Sequence, residues 1–328
     1  MVCGMGLTRC YRDGQLIDEG FPIANVSDHL EEKDTVVWFD LCEPTEEDLA
    51  SISEELGLHH LAVEDAVHPH QRPKLDHYAS HLFLTAYSVR LDDETATLET
   101  NEVAAFILPR ALVTVRKNER FDIKDVLQRW DSADPELATG GVGFLLHGLL
   151  DHIVDTQFDA IQSLDSDLES LEDTLFSDNI RDATMQRRTF ELRKSLVMLR
   201  RVVTPMREVV NTLMRRDLHI IAPGTMPYFQ DVYDHVLRAG EWTDSLRDLV
   251  GNIYETHLTV RGNRLNVVMK QVTSWAAIIA VPTAITGFYG QNVPYPGFGQ
   301  PWGFWVSSAV TVGLAVILYL TFRRKGWL

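Results

Sequence analysis

The stretch "AITGFYGQNVPYPGFGQPWGFW", residues 284–305, has no charged side chain and joins two long apolar runs, in a chain of 328 residues with a formal net charge of −17. It sits inside a larger gap. From Gln271 to Phe322 there are 52 residues without Asp, Glu, Lys, Arg or His. The first run, Val272 to Tyr289, has 18 residues and the second, Phe304 to Phe322, has 19. As helices rising ~1.5 Å per residue, each would span about 27–29 Å, the thickness of a bilayer's hydrocarbon core. Tyr289, Tyr295, Trp302 and Trp305 fall near the outer ends of the runs, where amphipathic rings settle at a lipid–water boundary. The expectation is a membrane hairpin, with a first transmembrane helix at 272–290, an external loop at 291–303 and a second transmembrane helix at 304–322.

Basic residues orient the hairpin. Arg261, Arg264 and Lys270 precede the first span, Arg323, Arg324 and Lys325 lie in the short tail 323–328, and the connecting loop has none. Both termini are therefore expected on the cytoplasmic side of a cell inner or plasma membrane. The N-terminal "MVCGMGLTRCYRDG" has no apolar core, so no cleaved signal is expected. Setting aside the tail's three basic residues leaves 27 Lys and Arg against 47 Asp and Glu, a net charge of about −20. Such a domain repels nucleic acid and attracts cations. Cys3, Cys10 and Cys42 show no metal-ligand spacing and, being three, no even-numbered disulfide set, which suits reduced thiols in a reducing compartment,.

Ahead of the membrane segment, residues 1–225 mix strands and helices. "TVVWFDL" (35–41), "HLFLTAYSVRL" (81–91), "EVAAFILP" and "ALVTVRK" (102–117) are rich in β-branched and aromatic residues. They read as strands, the last two as a hairpin turning near Pro109 and Arg110. "PTEEDLASISEELG" reads as a helix capped by Thr45, acidic in its first turn and stopped by Gly57. From Val142 to about residue 216 helical periodicity takes over, first in an acidic helix and then in a basic one, with a break at Asp178 and Asn179,. These are expected to pair as an antiparallel arm. A third helix, starting near Tyr228 and reaching Tyr289, would be a stalk (226–271) that continues into the first span.

Stepping by three or four residues along this helix selects Asp248, Asn252, Glu255, Thr259, Gly262, Asn266, Met269, Thr273, Ala276, Ala280, Thr283 and Gly287. The stripe is acidic or polar below the membrane and small or hydroxylated within it. Lipid-facing surfaces favour large aliphatic side chains, whereas small and hydroxyl residues belong at helix interfaces or around a wet pore. The stripe alone fits either reading. One hairpin supplies too little wall for a pore, so conduction along it requires several copies, a homo-oligomer with the first span inside. Gly240, Gly251 and Gly262 recur every 11 residues, three helical turns, and so lie almost on one line where neighbouring helices could approach closely,.

With these residues assembled, the chain resembles the CorA family of divalent cation channels and transporters. The resemblance rests on "WFDLCEPTEEDL" (38–49), "LAVEDAVHPHQRPKLDHYASHLFL" (61–84), "YFQDVYDHVLR" (228–238), "NRLNVVMK" (263–270), "YGQN" (289–292) and the basic tail ending in "GWL". It implies a funnel-shaped homopentamer: an α/β cytoplasmic domain, a long α-helical stalk and two C-terminal transmembrane helices, the first lining the pore. In the family a Gly-Met-Asn motif ends the first span, and its Asn ring holds an incoming hydrated cation through its water. The corresponding residues here are Gly290, Gln291 and Asn292, preceded by Tyr289, and these are the expected selectivity positions at the pore mouth. By the same correspondence Asn266, Met269, Val272, Ala280 and Thr283 fall at pore-lining or gating positions, joined through the stripe by Thr273, Ala276 and Gly287. Glu255 and Asp248 are candidate regulatory or ion-attracting metal ligands between subunits.

Neutral amides suit such a mouth, because Mg²⁺ surrenders its water reluctantly and a carboxylate cage would trap it. Two departures stand out. Gln291 replaces the usual Met, and the loop "VPYPGFGQP" lacks the acidic residue that relatives carry there. His60, Glu64 and His68 are spaced by four residues, but not as the H-E-x-x-H of a zinc hydrolase, and they read as structural. No phosphate-cradling loop or nucleophile motif appears, so neither an enzyme nor a required cofactor is expected. Three functions are carried forward: a channel or transporter of Mg²⁺, with Co²⁺ or Ni²⁺ as further substrates; a zinc transporter on the same scaffold, as in the ZntB branch; and a non-conducting, membrane-anchored metal sensor.

Overall fold

Strands β1 (Leu7–Arg12), β2 (Gln15–Glu19), β3 (Thr35–Cys42), β4 (Lys74–His77), β5 (Leu82–Asp92), β6 (Thr97–Ile107) and β7 (Ala111–Arg116) form one sheet in the order β2-β1-β3-β7-β6-β5-β4. Only the β3–β7 pair is parallel. A computed structural model describes residues 6–32, 34–68, 71–92, 97–175, 182–215, 220–291 and 293–328. The expected hairpin is β6–β7, closed by Leu108 N–H donating to the Ala111 carbonyl at 2.8 Å across Pro109 and Arg110.

Alternation along the central strands sends side chains to two separate cores. Val37, Phe39, Phe106 and Val113 face helices α1 (Val26–Glu31), α2 (Glu46–Leu56) and α3 (His60–Val67), while Trp38, Ile107 and Leu112 face α4 (Ile123–Asp131), α5 (Pro135–Ala138) and α6 (Val142–Leu175). The result is a three-layer α/β/α sandwich. With both faces covered, strands such as "ALVTVR" are buried throughout,. Helix α2 has the expected ends: Thr45 Oγ1 accepts from Asp48 N–H at 3.2 Å, Asp48 Oδ2 accepts from Thr45 N–H at 2.9 Å, and Gly57 closes the helix with φ +64°,.

Strands β1, β2 and β4 carry no sequence signal strong enough to be expected. β2 is exposed at every position, and β1 holds two arginines. One of them, Arg9, donates to Asp131 of α4 at 2.7 Å. Equally invisible in the sequence is a buried ion pair between β3 and β7. Arg116 donates through Nε and Nη2 to Asp40 Oδ2 at 2.9 and 2.6 Å and through Nη1 to the Phe121 carbonyl at 3.0 Å. Thr114 Oγ1 donates to Asp40 Oδ1 at 2.7 Å and accepts from Trp38 Nε1 at 3.1 Å. The cysteine expectation needs correcting: Cys42 is disulfide-bonded. Cys10 is a free buried thiol whose pKa burial pushes up to about 11.

Beyond α6, helix α7 (Asp182–Leu213) and helix α8 (Met226–Tyr289) follow. The expected break at Asp178 and Asn179 lies outside the described residues. Charge links α6 and α7 through Arg188 and Asp167 at 2.9 Å, whereas Arg200 of α7 turns instead to Asp244 of α8 at 2.7 Å. The chain divides into two compact units, Met1–Asn252 and Ile253–Leu328. The first includes the start of α8 because Phe229, Val232, Val236, Ala239, Leu246 and Val250 are buried at helical spacing,. The second consists of the rest of α8, a loop and α9 (Pro301–Arg324). Both α8 and α9 contain segments long and apolar enough to cross a membrane.

Candidate functional site

Within the second unit, the face of α8 that meets α9 is formed by Ser274, which is fully buried, and by half-buried Ala277, Ile278, Val281, Pro282, Ile285 and Tyr289. Trp275 and Tyr319 place their ring centroids 6.4 Å apart at its lower end. The small and hydroxylated stripe lies elsewhere. Thr273, Ala276, Ala280, Thr283 and Gly287 are all exposed, as are Asn266, Met269 and Val272 further down. At ~100° per residue the stripe is roughly opposite the α9-facing side. The chain's own second span therefore does not cover this face. A Cβ built at Gly240, Gly251 or Gly262 would meet nothing within 4 Å. Those glycines serve no close helix approach within one chain.

Hydroxyls in the span are partly spent on their own helix. Thr283 Oγ1 donates to the Ile279 carbonyl at 3.0 Å, and Thr286 Oγ1 to the Pro282 carbonyl at 2.8 Å. This satisfies the donor in an apolar setting and leaves the oxygen lone pairs as acceptors. An outward-facing acceptor suits a cation or the donor hydrogens of its water. Pro282 sits inside the helix without ending it.

The helix stops at the motif. Gly290 N–H donates to the Thr286 carbonyl at 2.8 Å and Gln291 N–H to the Phe288 carbonyl at 3.3 Å. Tyr295 folds back, donating its hydroxyl to the Tyr289 carbonyl at 3.2 Å with the two rings edge to face at 5.0 Å. A carbonyl at a helix C-terminus thereby gains a partner it would otherwise lack. Phe298 continues the stack at 5.3 Å from Tyr295. Gly297, at φ +92°, lies against Gly303 of α9, where a Cβ would come within 2.4 Å of the Gly297 carbonyl oxygen. Two glycine backbones thus clamp the loop to the second span.

Of the expected selectivity positions, Tyr289 is half-buried beneath Tyr295, and Gly290 and Gln291 are exposed. The Gln291 side chain has no hydrogen-bond partner among the described residues, so its amide is available to solvent. Asn292 lies outside the described residues. Asp248 is exposed and paired with Arg247 at 3.0 Å, and Glu255 is exposed one to two turns on. Among the described residues no three His, Cys, Asp or Glu side chains come together to hold a metal. In one chain, then, Asp248 and Glu255 form no site. Around His60, Glu64 and His68 the contacts are local: His59 and His60 stack at 4.5 Å, and His68 Nδ1 meets the Glu64 carbonyl at 3.0 Å.

One feature near the motif was not expected. A cleft of about 610 Å³ opens between the end of α8, the loop and α9, lined by Thr286, Tyr289, Tyr295, Gln300, Ser307, Ser308 and Thr311. Its signal in the sequence is the hydroxyl spacing Ser307, Ser308, Thr311 in an otherwise aliphatic span. It lies on the α9 side of α8, away from the small-residue stripe.

An α/β/α unit followed by a helix that continues into the first of two apolar spans, with an uncharged Gly-Gln loop between them, defines a two-span membrane protein. The family of CorA-like Mg²⁺ transporter proteins matches residues 33–324, and the chain belongs to it. It is 32% identical over 279 residues to the cobalt/magnesium transport protein CorA of Thermotoga maritima, covering 84% of this chain and 79% of that one. Among solved structures, the CorA magnesium transporter of Methanocaldococcus jannaschii superposes with a TM-score of 0.79 at 24% identity over the whole of both chains, a likeness of fold. The zinc transport protein ZntB of Yersinia pseudotuberculosis is less similar, 23% identical over 268 residues, 78% of this chain and 77% of that one.

Proposed function

We propose that this protein is a channel-like transporter of divalent metal cations, with Mg²⁺ as its principal substrate and Co²⁺ and Ni²⁺ as further ones, and that it works as a homopentamer. The observation that carries this reading is the stripe Thr273, Ala276, Ala280, Thr283 and Gly287, small or hydroxylated, exposed, and roughly opposite the side that packs on α9. A face of that composition is poorly matched to lipid, and its own second span does not cover it. Copies arranged about an axis would bring the stripes together around a common path, with α9 at the periphery. The T. maritima relative, named as a cobalt/magnesium transport protein, supports the choice of ions.

In this reading Asn292 and Gln291 form amide rings at the outer mouth and accept hydrogen bonds from a cation's water shell, with Gly290 allowing the backbone to turn. Thr283 offers the next acceptors inward, and Ala280 and Ala276 leave room for an ion that keeps its water. Met269 and Val272 form apolar constrictions, and Asn266 lies below them. Arg323, Arg324 and Lys325 keep both termini on the cytoplasmic side. Asp248 and Glu255 concentrate cations there and hold regulatory metal between subunits. The drive is the ion gradient and the membrane potential, since two positive charges moving inward gain ~4.6 kcal/mol per 100 mV.

Flux into proteoliposomes tests this, comparing Mg²⁺, Co²⁺, Ni²⁺ and Zn²⁺ under an imposed potential with Asn292→Ala as the control. Uptake of Mg²⁺ that the substitution abolishes is the expected result. Uptake of Zn²⁺ alone would replace the magnesium reading with a zinc one, and no uptake of any divalent ion would leave the metal sensor.

A further inference from the structure

In a protein with 47 acidic residues against 30 basic ones, one cleft of the α/β unit runs against the trend. It measures about 810 Å³ and lies between the segment before β4, the β5–β6 surface, helix α7 and the start of α8; Arg72, Arg200, Arg201 and Arg247 line it, and no acidic side chain among the described residues does. By charge alone, the basic run of α7 is expected to pair with acidic α6. Two of these four arginines belong to that run, and neither is paired with α6.

The four differ in how they are held. Asp244 accepts from Arg200 Nε at 2.7 Å and lies 3.3 Å from Arg247 Nη1, while Asp248 takes Arg247 Nη2 at 3.0 Å. Two carboxylates thus fix two guanidiniums, and each guanidinium, with five N–H donors, keeps others for a ligand. Arg72 and Arg201 have no ion-pair partner among the described residues, and both are exposed. Four guanidiniums against two carboxylates leave a local excess of positive charge with forked donors, the geometry that recognises phosphate oxygens two at a time. Val197 and Met198 give the cleft an apolar wall beside the arginines.

We infer that this cleft binds a small soluble polyphosphate anion, of the kind a nucleoside triphosphate presents. Four arginines spread over three chain segments match several linked phosphates better than one carboxylate or a single phosphate. The apolar wall at Val197 and Met198 accepts the non-phosphate body of such a molecule. Because the ligand's charge is met by arginines of one chain, the site is complete within a single copy; its one link to the proposed transport apparatus is Asp248, which holds Arg247.

The test uses the full-length protein in detergent micelles with excess EDTA, so that metal chelation by the ligand plays no part. Binding of ATP and of inorganic triphosphate is read by calorimetry, alongside vesicles containing phosphatidic acid. Saturable binding of ATP and triphosphate is expected, weakened about tenfold or more by Arg72→Gln with Arg201→Gln. Neither substitution strands a buried acid, so the thermal midpoint and the oligomer size should be unchanged. Arg187→Gln, on the same helix but paired with Glu191 alone among the described residues, should leave binding intact. Absence of saturable binding, equal loss with Arg187→Gln, or binding to the vesicles alone would overturn the inference. Because transport is not the readout, failure here is separable from failure of the transport proposal.

Discussion

"VAAFI" at 103–107 and "WAAIIA" at 275–280 are similar strings, yet the five residues of the first are at most 1% exposed while Trp275 and Ile279 of the second are 51% and 63% exposed. The first lies in β6, between two helical layers of its own chain. The second lies in α8, where only one side meets α9. The α/β unit supplies its own apolar surroundings, so apolar content there becomes core. The membrane unit leaves most of its apolar surface open, to be covered by something outside the single chain. Exposure in α8 is therefore informative in a way that burial in β6 is not, because it separates the side used within the chain from the side kept for something else.

The largest effect that sharpens this contrast comes from filling the uncovered face. Ala280→Trp is expected to cut Mg²⁺ flux by about tenfold or more while leaving the α/β unit's unfolding unchanged, because a small-residue stripe tolerates no bulk if it borders an ion path. Ile317→Trp, on exposed α9, should leave flux near that of the unaltered protein. Proteoliposome uptake measured side by side distinguishes the two, and equal loss in both would remove the distinction between the faces.

The closed unit should break from within. Arg116→Met leaves Asp40 buried without its charged partner and is expected to cost ~3–5 kcal/mol. Urea unfolding followed by fluorescence of buried Trp38 and Trp130 measures it. A loss below ~1 kcal/mol would mean that the pair is not needed to satisfy Asp40.

Acid should act on the same unit. His81, His147 and His152 are held below the ordinary imidazole value, each chiefly by burial, with His59 adding to the effect at His81 and Arg129 at His152. The unfolded chain takes up protons below about pH 6.5 and the folded one resists, so this contribution is full above that pH and is lost as pH falls toward the lowered folded values. The urea midpoint should drop between pH 7.5 and 5.5, and His81→Gln should make the drop smaller. His81 is suited to this because its Nε2 is buried without a partner. The smallest effect is Thr45→Ala, which removes the capping box of α2 and should cost ~1 kcal/mol in the same assay.

How much could be read from sequence follows the same division. The two spans, the α2 caps and the β6–β7 turn were legible because each depends on neighbours in the chain: a run of uncharged residues, a Thr three positions before an Asp, a Pro-Arg pair between β-branched segments. Strand β1 was not, because "LTRCYR" becomes a strand only beside β3, and Arg9 finds Asp131 across 122 positions of sequence. The Asp40–Arg116 pair, 76 positions apart, was hidden for the same reason. In the candidate site the small-residue stripe was legible from helical spacing alone. Which way it faced was not, since that depends on the side α9 occupies, the side on which Ser274 is buried. The arginines of the anion cleft were visible only as a basic run, because Arg72 and Arg247 join it through the fold.

If ions follow the small-residue stripe, the face carrying Thr283 borders water that reaches through the membrane. This is tested most directly by placing a thiol there: Thr283→Cys and, for comparison, Ile317→Cys, each reconstituted and treated with a small water-soluble thiol reagent while Mg²⁺ flux is recorded. The reagent should block flux through the Thr283→Cys protein, Mg²⁺ should slow the block, and the Ile317→Cys protein should be unaffected. Reaction at Ile317→Cys alone, or full flux after complete modification of Thr283→Cys, would contradict this.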